Sequence, residues 1–461
     1  MILAACSGPT PTRVPREGIL AAIQQPLPSQ ARADALLAEV RYSATDARPW
    51  WQDFGDPLLD RLVSTAQAQA FEVRRARASL MQARASLRAA QAGGMPSITL
   101  QASQQNEQRN LLADGLGGDS LQSQSSLGLN LDWQLDLFNQ IGSSVAAAEA
   151  RTGSAEALLR DVQRLLTNQI VSSYVQLRSV QRRRQIAEDS ERRRADNVTR
   201  MNRLVKTGYG TALDLRRAES QLFEARAQRE ALASAEVQLV NALAVLANQR
   251  LDEARALLAD PAPLFEPPAV APLPSVDQLL MQRPDLRARE RALTAAAFDV
   301  DASKAALYPS MSLGGLVFGS GQAAGLFPSL ELLSGRLLAN LAWPLLGRGR
   351  LLADVDLRTA QLERALTDYE QSVVETVAQI DSALNALKRT RDIHQYRVEA
   401  ADAAREAETL SHRLFMAGEL EYVSVVVAEQ TRSAAEDAEV VAQRDAVQAW
   451  VDYVSAIAPV W

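Results

Sequence analysis

Several residue types that define common protein classes are scarce in this 461-residue sequence. Its one cysteine, Cys6, excludes an intrachain disulfide and a cysteine-built zinc site. The two histidines, His394 and His412, lack the HExxH spacing of zinc enzymes, so we predict no metal site and expect both to be exposed on helices. Aromatic residues account for only 5% of the chain, and strong helix formers dominate instead. The composition therefore predicts a mainly helical protein.

Long apolar runs, excess positive charge and catalytic motifs are missing as well. No run of 18 apolar residues occurs, so the sequence predicts no transmembrane helix. The net charge of -6 argues against nucleic acid as a partner. Acidic residues interrupt the arginines of residues 178–203, which indicates a solvated, salt-bridged helix face. Because no phosphate loop, nucleophile elbow or paired-carboxylate motif is found, we predict no catalytic residue, no enzymatic activity and no cofactor.

The chain repeats itself once. Residues 96–100 match residues 309–313, and Gly208 matches Gly418, at offsets of about 210 to 213 residues. A shared offset indicates two structural repeats rather than chance matches. We therefore divide the chain into five segments: a residual signal peptide (1–5), an extended leader (6–48), a first repeat (49–250), a Pro-rich connector (251–275) and a second repeat (276–461).

Each repeat contains two segments with the period of a β-strand. Apolar and polar residues alternate from Leu127 to Leu137 and, less regularly, from Leu337 to Leu345. A half-buried sheet of a soluble protein would give the same alternation, but strands of this length suit a membrane barrel. Four strands cannot close a barrel, so several chains must contribute. The polar face would line a watery lumen, with candidate lumen residues Asn130, Asp132, Gln134 and Asp136.

Very long helices follow the strands. Residues 143–205 and 351–415 lack proline, which predicts one continuous helix over each stretch. Apolar residues at seven- and four-residue spacings give the first of these helices a seam for partner helices: Leu159, Leu166, Ile170 and Leu177. Gly208 and Gly418 lie where the long helices reverse. Shorter helices are predicted to return over about 211–248 and 419–454, and another to run from Pro57 to about Gln91.

The N-terminal residues Leu3-Ala4-Ala5-Cys6 resemble a bacterial lipobox. This predicts that Cys6 carries a covalent lipid and that the residues before it are the remainder of a signal peptide. The alternative is an incidental cysteine in a loose terminus. Prolines between Cys6 and residue 28 predict an extended tether.

Two further motifs carry a family resemblance that covers nearly the whole chain. Residues 50–59 are WWQDFGDPLL, and residues 279–286 are LLMQRPDL. With the strand end at residues 133–138, they resemble the TolC-type outer-membrane factors, in particular the NodT-like lipoproteins of tripartite RND efflux systems. The end of the second strand pair lacks the acidic residue often found in that family.

The resemblance implies a fold that is mainly α-helical with a membrane β-barrel. Each protomer would contribute four strands, and a homotrimer would form one twelve-stranded barrel above a long periplasmic α-helical barrel. The implied partners are a periplasmic membrane-fusion adaptor, an inner-membrane RND pump and outer-membrane lipid. The adaptor would contact the tips of the helical hairpins, with candidate residues Arg203, Leu204, Gly208, Arg413, Leu414 and Gly418.

The function implied by the resemblance is passive export of drugs or other toxic small molecules through the outer membrane, to which the chain would be lipid-anchored while extending into the periplasm. Glu419 and Glu421 are expected to open the final helix, and three copies would form acidic rings that could gate the channel. The alternative is that they only favour the helix N-terminus. A duct of a type I secretion system and a soluble coiled-coil scaffold remain open as alternative functions.

Overall fold

The computed structural model describes residue 12 and residues 49–110, 119–267, 282–321 and 333–457. The first half has a short 3₁₀ helix, Trp50–Phe54, and then α1 (Pro57–Gln69), α2 (Phe71–Ala92), β1 (Ser97–Asn110), β2 (Asp119–Leu135), α3 (Gln140–Lys206) and α4 (Ala212–Ala247). After α5 (Leu251–Leu258), the second half has α6 (Pro284–Ala305), β3 (Ser310–Gly321), β4 (Leu333–Ala342), α7 (Gly349–Met416) and α8 (Tyr422–Ile457). Both halves thus have helix, two strands, one long helix and a returning helix in the same order.

The chain forms two compact units, and each unit takes segments from both repeats. The first unit contains residue 12 with Ala78–Ala157 and Ala288–Glu370, and therefore holds all four strands. The second unit contains most of the helical residues, including both turns between a long helix and its returning helix. Each repeat is thus one continuous stretch of sequence, whereas each compact unit combines several stretches that are separate in the sequence.

The four strands of the first unit form one antiparallel sheet in the order β1-β2-β3-β4. Strands β1 and β2 pair from Ser97 opposite Asp132, and β2 pairs with β3 of the other repeat from Leu135 opposite Met311. The loops between β1 and β2 and between β3 and β4 lie outside the described residues. Below the sheet, Trp133 donates its indole N–H to the Gly94 carbonyl at 3.1 Å, which ties the end of β2 to the segment before β1.

Two strands end earlier than the alternation predicts. Strand β2 stops at Leu135 and β4 at Ala342, so the apolar residues at 137 and 345 are not strand residues. After β2 the chain turns through Asn139, which has a positive φ of 61°. The alternation continued beyond the strands because it records the side-chain pattern and not the backbone pairing.

The helix predicted from Pro57 to about Gln91 is wrong in one respect, because it is broken into α1 and α2. Ala70 between them has an extended ψ of 141°. The break frees carbonyls at the end of α1, and distant side chains satisfy them: Arg77 donates to Gln67 and Ala68, and Asn248 to Gln69. The start of α1 is as predicted, with Asp56 as the N-cap and Pro57 at the first helical position.

The core of the second unit is built where the shorter helices pack on the long ones. The predicted seam is confirmed, because Leu166, Ile170 and Leu177 are fully buried there and Leu159 packs against them. Trp450 of α8 lies against the rings of Trp50 and Phe54, at centroid distances of 5.8 and 5.2 Å. The tryptophans of the WWQDFGDP motif therefore have a packing role.

Two boundaries in the second half of the chain differ from the predicted ones. Helix α8 begins at Tyr422, so Glu419 lies in the preceding turn and Glu421 directly before the helix, and neither opens the helix as expected. The segment predicted as a Pro-rich connector starts with α5, although residues 259–267 are irregular.

Among the described helices, α4 meets the length and composition expected of a membrane span, which the search for long apolar runs did not find. A core helix passes the same test, and α4 places Val240, Leu243 and Ala244 in the core of the second unit. The length and apolar composition of α4 are therefore weak evidence that it spans a membrane.

Candidate functional site

Where all four strands pair, one face of the sheet is mainly apolar, whereas further along β1 and β2 the same face carries polar residues such as Gln104 and Ser125. In the register of the strands, Leu129 lies opposite Leu100 on one side and Val317 on the other, and Leu131 lies opposite Ile98. Strand β4 continues this face with Leu337 and Leu341. The apolar side chains are exposed, with Ile98 and Leu100 each at 69% and Leu337 at 78%. A soluble protein rarely exposes a contiguous apolar surface of this kind, so this face is a candidate for contact with lipid.

The opposite face of the sheet is mainly polar. Asn130 lies opposite Thr99, and Asp132 opposite Ser97. Gln134 lies opposite Ser312, which in turn faces Asn340 of β4. Leu316, Phe318 and Leu338 are apolar exceptions on this face. The structure therefore brings three of the predicted lumen residues, Asn130, Asp132 and Gln134, onto one surface.

Asp136, the fourth predicted lumen residue, lies one position beyond the end of β2. Its carboxylate accepts hydrogen bonds from the backbone N–H groups of Ile141 and Gly142, at 3.1 and 2.7 Å. A carboxylate at this position stabilises the N-terminus of a helix, here α3. The prediction that Asp136 is a strand residue of the lumen face is therefore wrong, since the residue caps a helix.

Each sheet edge is formed by one strand, β1 on one side and β4 on the other. Within the described residues, these strands have a backbone partner on one side only. Exposed strand edges leave unpaired N–H and C=O groups, which cannot be tolerated in the hydrocarbon region of a membrane. An apolar face and two open edges together require neighbouring strands from other chains if this sheet enters a bilayer.

The second unit carries the two turns that join each long helix to its returning helix. Gly208 and Gly418 have φ values of +79° and +78°, which confirms that both take the left-handed conformation. The turns share one hydrogen-bond pattern, since Tyr209 N–H donates to the Leu204 carbonyl at 2.9 Å and Glu419 N–H to that of Leu414 at 3.0 Å. This pattern ends a helix and satisfies its last carbonyls. Thr211 is the N-cap of the returning helix α4, and its hydroxyl accepts from the Asp214 N–H at 3.1 Å.

The predicted contact residues surround these turns. Arg203, Gly208, Arg413, Leu414 and Gly418 are exposed, and Leu204 is half-buried. The structure adds two exposed apolar residues that the sequence reasoning missed, Tyr209 at 85% and Met416 at 81%. A large apolar residue within two positions of a turn glycine was the signal that could have identified them. The turns therefore present both arginines and apolar side chains to solvent.

Behind the second turn, a buried polar cluster joins three helices. Glu429 of α8 accepts hydrogen bonds from the Asn197 amide of α3, at 2.7 Å to each carboxylate oxygen. The ring of His412 lies 3.0 Å from Glu429. His412 and His394 are both half-buried on α7, so they lie on a helix as predicted but are less exposed than expected. Nearby, burial and then the charges of Glu429 and Asp214 raise the pKa of Tyr422 to about 12.

The arginine-rich stretch of α3 has the ion pairs that the sequence predicted. Arg183 donates to both oxygens of Asp437, at 2.6 and 3.0 Å, and Arg184 pairs with Glu236 at 3.1 Å. Arg178 is the exception to a solvated face, since it is buried and donates to Gln181 and to the Asp260 carbonyl. This stretch holds helices together through paired charges.

A four-stranded antiparallel sheet with an exposed apolar face, joined to long helical hairpins, is the architecture of an outer-membrane channel protomer. The predicted fold class is thereby confirmed. Residues 62–249 and 275–458 match the family described as outer membrane efflux protein. These residues are most of the chain and include both repeats, so the protein belongs to the outer membrane efflux protein family.

Individual relatives agree with this assignment. The chain is 32% identical over 479 residues to the pyoverdine export outer membrane protein OpmQ of Pseudomonas aeruginosa, and the match covers 100% of this chain and 95% of the relative. It is 26% identical to the toluene efflux pump outer membrane protein TtgC of Pseudomonas putida, covering 80% of this chain and 76% of TtgC. Among solved structures, the outer-membrane channel OprN superposes with a TM-score of 0.84 at 26% identity, covering 92% of this chain and 95% of OprN. The chain is thus an outer membrane efflux protein in sequence and in fold.

Proposed function

We propose that three copies of this chain close one β-barrel in the outer membrane and conduct small molecules passively from a periplasmic helical duct to the exterior. The observation that carries this proposal is the two-faced sheet of the first unit. Its apolar face is suited to lipid, its polar face is suited to water, and its edges need strands from neighbouring copies. Twelve strands, four from each copy, would leave no open edge.

The family assignment favours a conduit over a soluble coiled-coil scaffold. The exposed apolar face of the sheet favours it too, because such a face has no role in a soluble scaffold. We propose drugs or other toxic small molecules as cargo, delivered by an inner-membrane RND pump through a periplasmic adaptor. The named cargoes of the relatives differ, and include pyoverdine, toluene and cations. One architecture with such different cargoes supports a channel that conducts while its partners select.

The turns of the second unit are the surfaces that we propose for the adaptor. They combine arginines with exposed apolar side chains, and the two turns have the same hydrogen-bond geometry. Surfaces of this mixed character are typical of protein contacts. Loss of co-purification of an adaptor with a Tyr209→Ser, Met416→Ser double variant would support this assignment, and retained binding would refute it.

We also propose that Cys6 carries lipid that anchors the chain. Cys6 lies outside the described residues, but Thr12 is held on α6: its N–H and hydroxyl both donate to Asp301, at 2.8 and 2.6 Å, and its hydroxyl accepts from Lys304. A fixed point six residues beyond the proposed lipid would hold the leader against the first unit. Mass spectrometry of the N-terminal peptide should show acyl chains that a Cys6→Ser variant lacks, and an unmodified Cys6 would refute the anchor.

The experiment that tests the central proposal is single-channel conductance in planar bilayers, with the oligomer mass measured in the same preparation. Trimers with discrete conductance are expected. Asp132→Asn should lower the preference for cations, because Asp132 lies on the polar face. Leu131→Val, one residue away on the apolar face, is the matched control and should leave ion selectivity unchanged. A monomer that never conducts would contradict the proposal.

The proposed gate at Glu419 and Glu421 is tested in the same assay. Both residues are exposed at the second turn, so three copies could bring their charges together. Glu421→Ala is expected to change conductance and cation preference. Asp252→Ala, which removes an exposed acid from α5, should change neither. Unchanged conductance in Glu421→Ala would remove the gate from the proposal and leave the conduit intact.

A further inference from the structure

The polar cluster behind the second turn contains three side chains with the donor atoms of a metal site. Glu408 and His412 lie four residues apart on α7, which places them on one face of the helix. Glu429 reaches them from α8. One carboxylate oxygen of each glutamate and one imidazole nitrogen all lie within 4.8 Å of one another. Donor atoms about 2 Å from a common metal ion lie about 3–4 Å apart, so small side-chain rotations would complete such a site.

Both glutamates are buried, and Arg432 is the one cationic group in direct contact with either carboxylate in the part of the chain that the structure describes. Glu408 is 4% exposed and Glu429 is 8% exposed. Arg432 contacts Glu408, but it also donates to Glu436 at 3.0 Å. Glu429 is held by the neutral Asn197 amide and by His412, while Arg194 acts on it only through longer-range charge. Two buried carboxylates so close together repel each other, and a divalent cation would remove that repulsion.

The surroundings hold the donor groups in place. Asn197 donates to both oxygens of Glu429, at 2.7 Å each, and Arg432 donates to Oε2 of Glu408, which leaves Oε1 available. Partners of this kind orient metal ligands in proteins, and their loss weakens metal binding. A space with room for about one water molecule borders Glu429 on the side of Asn197 and Gln221. The cluster therefore has three protein donors, oriented carboxylates and adjacent room for a water.

We propose that Glu408, His412 and Glu429 bind one divalent transition-metal ion, with Zn²⁺ as the best match. One imidazole and two carboxylates are typical ligands of zinc and its neighbours, whereas calcium and magnesium prefer oxygen donors alone. The ion would replace the hydrogen bond between His412 Nε2 and Glu429, and the neutral ring would then carry its hydrogen on Nδ1. The site differs from the sequence expectation of no metal because its ligands come from two helices.

Such an ion would join α7 to α8 and, through Asn197, to α3. All three helices meet here close to the second turn, so the metal would restrain the helices that carry it. This proposal does not depend on the conduit function, since a metal site can be present or absent in either case.

The test uses the full chain, purified in detergent with a tag that contains no histidine and stripped of metal with a chelator. Titration calorimetry with Zn²⁺ is expected to show one site per chain with micromolar or tighter affinity. Co²⁺ at the same site should give visible absorption bands of a low-coordinate ion. Zn²⁺ should also raise the thermal midpoint of the protein.

The chain provides a matched control because its other histidine lies on the same helix. His412→Gln should weaken Zn²⁺ binding at least tenfold and abolish the metal-dependent rise in thermal midpoint, although glutamine can keep a hydrogen bond to Glu429. His394→Gln should bind as the wild type does. Glu429→Gln is a second ligand variant, and circular dichroism establishes that each variant is folded. Absence of saturable binding below millimolar Zn²⁺, or equal binding by His412→Gln and His394→Gln, would overturn the proposal.

Discussion

Asp56 makes two kinds of contact in the second unit, and both can be removed by one substitution. Its Oδ1 accepts from the N–H groups of Leu58 and Leu59, at 2.8 and 3.4 Å, as the N-cap of α1. Its Oδ2 accepts from the hydroxyl of Tyr174 at 2.5 Å. Tyr174 is fully buried, and its hydroxyl also accepts from Arg178 at 2.8 Å. Burial and the hydrogen bond to Asp56 raise the pKa of Tyr174, so its hydroxyl remains a donor.

The size of the effect of Asp56→Ala follows from these contacts. Loss of an N-cap costs about 0.5–2 kcal/mol. Loss of a hydrogen bond between a buried hydroxyl and a charged group costs about 1.5–3 kcal/mol. Together they predict a decrease of about 2–5 kcal/mol in the free energy of unfolding. Asp56→Asn should lose much less, because asparagine is an equally good N-cap and still accepts from Tyr174.

Two measurements in detergent test this prediction. The thermal midpoint of the helical circular dichroism signal should fall clearly for Asp56→Ala and slightly for Asp56→Asn. Hydrogen exchange of the peptide that covers α1 should become faster by about one and a half to three and a half orders of magnitude in Asp56→Ala, since about 1.4 kcal/mol corresponds to a factor of ten.

Asp60 on the same helix is the matched control. Burial and then the charge of Asp56 raise the pKa of Asp60 in the folded protein. The folded state therefore disfavours the ionised carboxylate more than the unfolded state does, and at neutral pH the charge of Asp60 opposes folding. Asp60→Asn should therefore keep or raise the thermal midpoint. Equal midpoints for wild type and Asp56→Ala, or a larger loss in Asp60→Asn, would refute the reasoning.

Two further predictions concern the turn and the charge network. Gly418→Ala should destabilise the second turn by about 1–2 kcal/mol, because an L-residue at a φ of +78° is strained. Gly349→Ala at the start of α7 is the control and should be neutral, because the added methyl group has open space. Equal thermal midpoints for the two variants would count against this prediction. Burial raises the pKa of Glu436, but Arg432 and Arg405 outweigh it and hold the pKa below 4.5. Its stabilisation is therefore present above about pH 4.5 and lost as the pH falls through the lowered pKa, so Glu436→Gln should lower the midpoint at pH 7 and converge with wild type in acid. A midpoint difference that is the same at every pH would contradict it.

Features that depend on local chemistry were predictable from the sequence. The left-handed turns at Gly208 and Gly418, the cap at Asp56 and the alternation of β2 follow from backbone sterics and side-chain period. The buried seam of α3 follows from the spacing of its apolar residues. In each case the residue and its close neighbours in the sequence are enough to predict the feature.

Features that depend on distant side chains were not predictable in the same way. The break at Ala70 is stabilised by hydrogen bonds from Arg77 and Asn248. The helix propensities of residues 57–92 carry no information about where Asn248 lies in the fold, so they could not predict the break. The contact of His412 with Glu429 joins two different helices, α7 and α8. The proposed metal ligands could not be grouped from the sequence for the same reason, since Glu429 reaches Glu408 and His412 from another helix.

The sequence by itself determined the repeat, the types of its elements and the alternation that gives each strand an apolar and a polar side. Only the tertiary structure decided that β2 pairs with β3, which starts 175 positions after β2 ends, and in which register. That choice sets which side chains share a face. A shift of one residue would move every side chain of a strand to the other side, so the register, and not the alternation alone, creates the continuous apolar surface.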